Sequence, residues 1–225
     1  MITQLTQAVK PVAFCLSLLT LCFAQTALGC DPPSTIKEAA PAEIRAFFKG
    51  KSLKVLTFLG YSGAEYENMR LMIKQVTRIL DQFDPNKTIV NIGATPEGIG
   101  AIYEVAKRKG FTTSGIVSTQ AREGNVVLSP CVDIVFYVND ATWGGFLPGT
   151  ETLSPTSTAM VENSNVMIAI GGGEVARDEL MAAKRAGKQI RFIPADMNHR
   201  IAREKASKKG QPVPTDFRGA AAAVF

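Results

Sequence analysis

The chain has 225 residues, 46% of them hydrophobic, with 25 Lys and Arg against 20 Asp and Glu for a formal charge of +5. That length leaves room for one domain with a sizeable core. The single histidine, His199, excludes histidine pairs for a metal; we read it as a surface residue and expect no metal site.

Met1 to Val9 is uncharged and mixed in polarity, Lys10 adds one cation, and Pro11 to Phe23 is almost wholly apolar. This is the layout of a signal peptide. The apolar run of about 13 residues falls short of the roughly 20 needed to cross the hydrocarbon core, which favours export over a permanent anchor. The next stretch, Ala27-Leu28-Gly29-Cys30, resembles the lipobox of bacterial lipoproteins, with Ala27 where leucine is usual. The resemblance implies that Cys30 is acylated, that the domain is held at a membrane of the bacterial cell envelope and, from Asp31, that an enterobacterium-like host would retain it at the inner membrane. Ala27 and Gly29 also form a small-x-small site, so ordinary cleavage after Gly29 into a periplasm remains open. With Cys15 and Cys22 in the leader and Cys30 lipidated, Cys131 would stand alone, and neither a disulfide nor a cysteine metal site is expected. The resulting divisions are 1–29 signal peptide, 30–50 tether and short helix, 51–210 folded domain and 211–225 irregular tail.

Asp31-Pro32-Pro33-Ser34 is kept extended by its prolines and reads as the tether, followed by a short amphipathic pattern from Ile36 to Phe48. Ser52 to Leu59 reads as the first strand, Gly60-Tyr61-Ser62-Gly63 as its turn, and Met69, Met72, Ile73, Val76, Ile79 and Leu80 as the stripe of a helix. Thr88 to Ile92 is a second strand. It leads through Gly93-Ala94-Thr95-Pro96-Glu97-Gly98-Ile99-Gly100 into a helix from about Ala101 to Lys109. Thr113 to Val117 and Val132 to Val138 read as strands around a polar loop from Ser118 to Pro130. The glycine-rich segment from Asn139 to Thr150 carries the only tryptophan, Trp143, which either shapes a pocket or covers core.

Pro155 to Asn163 reads as a short helix. Val166 to Ile170 is an apolar run that stops at Gly171-Gly172-Gly173, after which Val175, Glu179, Leu180 and Ala183 fall at helical spacing up to Gly187. This is a strand-to-helix junction, where glycines allow close approach of a ligand and the helix start, including Glu174, faces it; amides and dipole there favour an anion. Gln189 to Ile193 is the last strand and Ile201 to Lys208 a helix. The late cations, Lys184 to Lys209, read as a solvated face, and without interleaved aromatics no nucleic acid binding is expected.

Strands alternating with helices specify an α/β fold, a Rossmann-like three-layer sandwich with a mostly parallel central sheet. The glycine loops then gather at the carboxyl ends of the strands, where open sheets bind ligands. Neither the full dinucleotide fingerprint nor the phosphate loop ending in Gly-Lys-Ser/Thr is present, so no nicotinamide, flavin or other cofactor is expected.

Asn91 to Val117 and Ser164 to Pro194 resemble the Rossmann-like superfamily of cytokinin-activating nucleoside monophosphate phosphoribohydrolases (lysine-decarboxylase-like) and molybdenum cofactor carrier proteins. Gly93, Gly98, Gly100 and Gly110 fit its first glycine pattern. Its second, Pro-Gly-Gly-x-Gly-Thr-x-x-Glu, is met by Gly172, Gly173 and Glu179, with Gly171, Val175 and Ala176 in place of proline, glycine and threonine. The arginine those hydrolases carry on the preceding helix has no counterpart in Pro155 to Asn163. Glu179 to Lys188 is also similar to a helix of nucleoside deoxyribosyltransferases, which implies Glu179 as a carboxylate that attacks an anomeric carbon. Carboxylates suit that chemistry because oxocarbenium charge develops. Glu179 is equally readable as a first-turn acid, or as a partner of Lys184 or Arg177; Glu97 and Glu104 are weaker candidates.

The sequence thus predicts an exported, lipid-anchored protein binding a nucleotide, nucleoside or related small anion through Gly60, Ser62, Gly63, Gly93, Ala94, Thr95, Gly98, Gly100, Gly171, Gly172, Gly173 and Glu174. The enzyme alternative is an N-glycosidase or deoxyribosyltransferase using Glu179, with Ser62, Thr95 and Glu174 positioning sugar or phosphate. A structural envelope protein with empty turns is the third reading. The partners foreseen are the small molecule, a membrane through Cys30, and a second copy in a homodimer.

Overall fold

The computed structural model describes residues 30–225; the leader and most of the lipobox lie outside them. Seven strands and seven helices follow one another as β1 (Thr35–Glu38), α1 (Pro41–Lys51), β2 (Lys54–Gly60), α2 (Met69–Leu80), β3 (Thr88–Ile92), α3 (Ala101–Arg108), β4 (Thr112–Ser118), α4 (Gln120–Glu123), β5 (Ile134–Val138), α5 (Pro155–Asn163), β6 (Val166–Ile170), α6 (Glu174–Arg185), β7 (Gln189–Ile193) and α7 (His199–Lys208). The sheet runs β1-β5-β4-β3-β2-β6-β7. Every ladder between these strands is parallel, so the sheet is fully rather than mostly parallel.

Helices cover both faces, as strands buried on two sides require. Leu56, Phe58, Ile168 and Ile170 pack with Met72 and Val76 of α2 and Ile102 of α3. Their neighbours Val55, Leu59, Met167 and Ala169 pack with Ile44 of α1, Met160 of α5 and Leu180 of α6 on the opposite face. Alternation of side chains along each strand divides the apolar residues between the two layers. A polar line crosses the second face: Ser114 Oγ donates to Asn91 Oδ1 at 3.0 Å, Asn91 Nδ2 to Thr57 Oγ1 at 3.3 Å, and Thr57 Oγ1 meets Ser164 Oγ at 2.6 Å. These buried groups satisfy one another, which fixes the register of three central strands under α5.

Two expectations from the sequence are overturned near the N-terminus. The pattern from Ile36 to Phe48 is not one element. Thr35–Glu38 forms the edge strand β1, and Pro41 starts α1, where Glu43 accepts from the Ala40 amide at 2.7 Å. Proline belongs in a first helical turn and disfavours helix in the residue before it, so it separates the two. Nor does Cys131 stand alone: Cys30 and Cys131 form a disulfide, with Cα atoms 4.8 Å apart across 101 residues of sequence. The parallel pairing of Thr35 with Ile134 brings the segments before β1 and β5 side by side, which a spacing of 101 residues does not disclose. The tether is therefore laid along the domain, and Ser34 Oγ adds a 3.0 Å hydrogen bond to the Asp133 carbonyl. Closing a loop of this length removes about 4–5 kcal/mol of unfolded-state entropy in the chain-entropy description.

Residues 211–225 also take a definite course. Ala220–Val224 forms a short 3-10 turn against α6, the Ala221 amide donates to the Gly172 carbonyl at 3.0 Å, and Phe225 stacks on Phe192 with ring centres 5.2 Å apart.

Candidate functional site

The strand order turns at β2, which has β3 on one side and β6 on the other. Crevices form at such a point because successive crossovers leave to opposite faces. A cavity of about 360 Å³ opens there, bounded by the carboxyl ends of β2, β3 and β4 and by the first turns of α5 and α6. That volume lies in the range of small-molecule sites.

Of the residues singled out from sequence, Gly60, Ser62, Gly93, Thr95 and Glu179 line this cavity together, and Trp143 stands at its mouth. Trp143 is 58% exposed, so the indole shapes the pocket and does not cover core. The other glycines lie outside the lining. Gly98 and Gly100 pass close behind it, against the backbone of Tyr61 and Ser62 and of Thr95. The Gly63 carbonyl accepts from Lys205 Nζ of α7 at 2.6 Å. Ala94 is held at φ +56° by the Tyr103 hydroxyl, which accepts its amide at 3.1 Å. Gly171 and Gly172 lie under Tyr61 and the C-terminal segment, and Glu174 is exposed on the first turn of α6. Among the weaker candidates, Glu97 is exposed and Glu104 pairs with Arg108.

The floor of the cavity is set by side chains that the sequence reading passed over. Ser154 caps α5 and Pro155 fixes its first turn, so Thr156 and Ser157 are presented at the strand ends. Asp140 also caps this helix, its carboxylate accepting the Thr156 amide at 2.9 Å and the Thr142 amide at 2.8 Å. Burial opposes its ionisation, yet these amides hold the Asp140 carboxyl below its ordinary range. The Thr156 hydroxyl lies near enough to bias that carboxylate, but Thr156 Oγ1 is buried without a hydrogen-bond partner of good geometry among the described residues. An unpaired buried hydroxyl is uncommon in a native fold and calls for a ligand or a water.

Beside it lies Glu179, 3% exposed, which brings its carboxyl into the cavity from α6. Ser157 Oγ accepts the Gly145 amide at 2.7 Å and donates to Glu179 Oε1 at 2.6 Å. No described residue bonds the second carboxyl oxygen. Burial pushes this carboxyl up to about 8, with the Ser157 hydroxyl holding it back and the Asp178 carboxylate adding to the rise. Asp178 is itself occupied: it accepts the Phe146 amide at 2.9 Å and pairs with Arg177 at 2.8 Å. Burial thus favours the protonated form of Glu179, the only ionisable side chain among the described residues that line the cavity. The remaining walls are mostly apolar, with Phe58, Ile92, Ile116, Leu128 and Met160 inside and Val126 and Val175 at the rim, and the hydroxyl residues Ser62, Thr95 and Ser118 among them.

The late cations are engaged elsewhere, for instance Lys184 with the Val224 carbonyl, Arg185 with Glu151 and Lys188 with the Glu162 and Ser164 carbonyls. His199 is half-buried, stacked on Phe217 with ring centres 3.9 Å apart. Among the described residues no group of three or more metal-ligating side chains occurs, and no helix is long and apolar enough to cross a membrane.

No protein-family model and no curated protein sequence matches this chain. Solved structures do resemble it. The molybdenum cofactor carrier protein of Chlamydomonas reinhardtii is 21% identical over 62% of this chain and 76% of its own, with a TM-score of 0.45. A second structure of that protein is also 21% identical, over 76% of this chain and 95% of its own, at 0.45. TM1055, a structural genomics target, is 19% identical over 61% and 72%, at 0.44. DNA processing protein A of Streptococcus pneumoniae is 12% identical over 74% and 60%, at 0.44.

Proposed function

We propose that this is a binding protein for a small heterocyclic ligand of the nucleobase, nucleoside or nucleotide class, held in the cavity at the turning point of the sheet. One observation carries the reading: on the lining of the cavity, Thr156 Oγ1 is buried without a well-formed hydrogen bond, its nearest acceptor being the Asp140 carboxylate, and no described residue bonds the second carboxyl oxygen of Glu179. Unpaired polar groups at a buried position cost free energy that a ligand's hydrogen bonds recover. Native mass spectrometry of the protein, first as purified and then with a panel of bases, nucleosides and mononucleotides, should reveal a one-to-one complex. Absence of any adduct across the panel would leave the empty structural scaffold as the better reading.

Catalysis at an N-glycosidic bond is less well supported. A carboxyl that stays protonated at neutral pH is a hydrogen-bond donor and a poor nucleophile. The substitutions Val175 and Ala176 within the glycine motif, and the lack of a cation at the cavity, point the same way.

We also infer export to an oxidising compartment. The leader-like sequence before Cys30 suggests it, and the Cys30–Cys131 bridge supports it, since structural disulfides persist where thiols are not kept reduced. One sulfur cannot hold both the bridge and a lipid thioether, so we place the bridge ahead of acylation. In protein recovered from its host, Cys30 and Cys131 should resist alkylation until a reductant is added; an acyl chain found on Cys30 by mass spectrometry would reverse that order.

A further inference from the structure

We propose that the cavity selects an uncharged, flat heterocycle with a hydrogen-bond acceptor on its edge, a nucleobase or nucleoside, over the phosphorylated form of the same compound. The proposal rests on the cavity being a ligand site, as argued above, and adds which member of the class it takes.

The first argument is charge. Among the described residues lining the cavity there is no Lys, Arg or His, and the single ionisable side chain is the acid Glu179. A phosphate would have to be desolvated without a cationic partner, against hydroxyls of Ser62, Thr95 and Ser118 that offer hydrogen bonds but no countercharge, which is expensive. The amides at the start of α6 could offset part of that cost, because Val175 and Ala176 line the cavity. That offset has no side-chain cation behind it. The Gly171 amide is committed to the Ile193 carbonyl at 2.9 Å, and the one cation on the first turn of α6, Arg177, pairs with Asp178, which leaves only the amides after Gly171.

The second argument is the floor. Glu179 accepts from Ser157 through Oε1, leaving a hydroxyl to donate from the other oxygen, and Thr156 Oγ1 can donate or accept beside it. Such a pair suits a ring carbonyl or ring nitrogen with a neighbouring N–H. The groups facing Glu179 are Ser157 from α5 and Asp178, with its partner Arg177, from α6. Asp140 faces Thr156 from the loop after β5, and the strands contribute no ionisable group to the lining. The third argument is the mouth, where the exposed Trp143 indole, flanked by Val126 and Val175, offers a face for a planar ring.

Trp143 is the only tryptophan, so its fluorescence reports on this site alone. Titration of the full-length protein with adenosine, guanosine, inosine and uridine, and with each 5′-monophosphate, should show one nucleoside binding at least about tenfold more tightly than its phosphate, roughly 1.4 kcal/mol. That affinity should fall between about pH 6 and about pH 10, across the titration of Glu179 near 8, and the fall should vanish in Glu179→Gln, whose amide stays neutral. Thr156→Val should weaken the nucleoside at least severalfold at unchanged melting temperature. A monophosphate that binds as tightly as its nucleoside overturns the proposal and leaves the cavity standing as a site. Unchanged affinity in both variants overturns the assignment of the floor. Failure of every compound to bind removes the underlying reading and this one with it.

Discussion

Glycines at the same end of the sheet do opposite things. Gly93, at the end of β3, borders open space in the cavity, whereas Gly60, at the end of β2, lines the cavity with its Cβ direction already filled by the Tyr66 hydroxyl, the Ile99 side chain and the Ile170 carbonyl. Gly171 and Gly172, at the end of β6, border protein: a Cβ at Gly171 would lie 2.5 Å from the Tyr61 ring and 2.7 Å from the Ala195 carbonyl, and one at Gly172 would lie 2.7 Å from the Ala176 Cβ. Tyr61 completes the closure, its hydroxyl donating to the Arg218 carbonyl at 2.5 Å, and Gly219 passes beside it with φ +71°. A run of glycines at a strand end therefore permits close approach, and the approaching body is as easily the chain's own C-terminal segment as a ligand.

The largest expected effect follows from the closed pair, Gly171 and Gly172. Gly172→Ala places a Cβ at φ +127°, a conformation side chains rarely adopt, against the Ala176 side chain in the second layer. Strain and overpacking should together cost about 3 kcal/mol or more in urea-induced unfolding. Gly173→Ala, one residue on, meets nothing within 4 Å and has no positive φ, so it should stay within about 1 kcal/mol of the parent. Equal losses at the two positions would show that the turn is not packed as described.

How much of this contrast could be read in the sequence depends on which residues carry it. Thr88–Ile92, Val166–Ile170 and Gln189–Ile193 are apolar runs with polar or glycine boundaries, and their limits agree with the strands. The strand Thr35–Glu38 has a single apolar residue, Ile36, 59% exposed at an edge, so no periodicity marks it. The seat of the tail was equally hidden: Phe217, Ala221 and Phe225 recur every fourth residue, yet only a short 3-10 turn forms at Ala220–Val224, and their partners on α7, α6 and β7 are brought within reach only by the folded sheet. At the cavity, glycines and Glu179 were legible because their types suggest chemistry. Thr156 and Ser157 were not, because a hydroxyl in a first helical turn carries no chemical signature of its own; the Ser154-Pro155 start of α5 is the one sign that hydroxyls are placed at the strand ends.

The buried acid on the cavity lining gives an effect of intermediate size with a definite sign. Burial raises the Glu179 carboxyl to about 8 in the folded protein, against 4.5 in the unfolded chain. Between those values the unfolded state holds fewer protons, so stability declines as pH rises, by up to ~1.4 kcal/mol per pH unit, and levels off above about 8. Glu179→Gln removes that slope. The difference in unfolding free energy between variant and parent should therefore move in the variant's favour from pH 5 to pH 8, whatever its value at pH 5. A constant difference across this range would mean that Glu179 is ionised in the folded protein, and would restore it as a candidate nucleophile.

The smallest effect on stability is expected at Gly93, and it is the most informative about function. A Cβ at Gly93 would meet only the Ile116 carbonyl, at 4.0 Å, and no positive φ is involved, so Gly93→Ala should unfold within about 0.5 kcal/mol of the parent. The added methyl group borders the cavity between the ends of β3 and β4, where a bound ring would lie over the backbone. Ligand affinity measured through Trp143 fluorescence should consequently fall severalfold while the unfolding curve hardly moves. The closed pair behaves in the reverse manner, since substitution there should act on stability first. If Gly93→Ala instead left affinity intact, the ligand would not approach the end of β3, and contact at this site would have to be confined to the floor formed by Thr156 and Glu179 and the indole at the mouth.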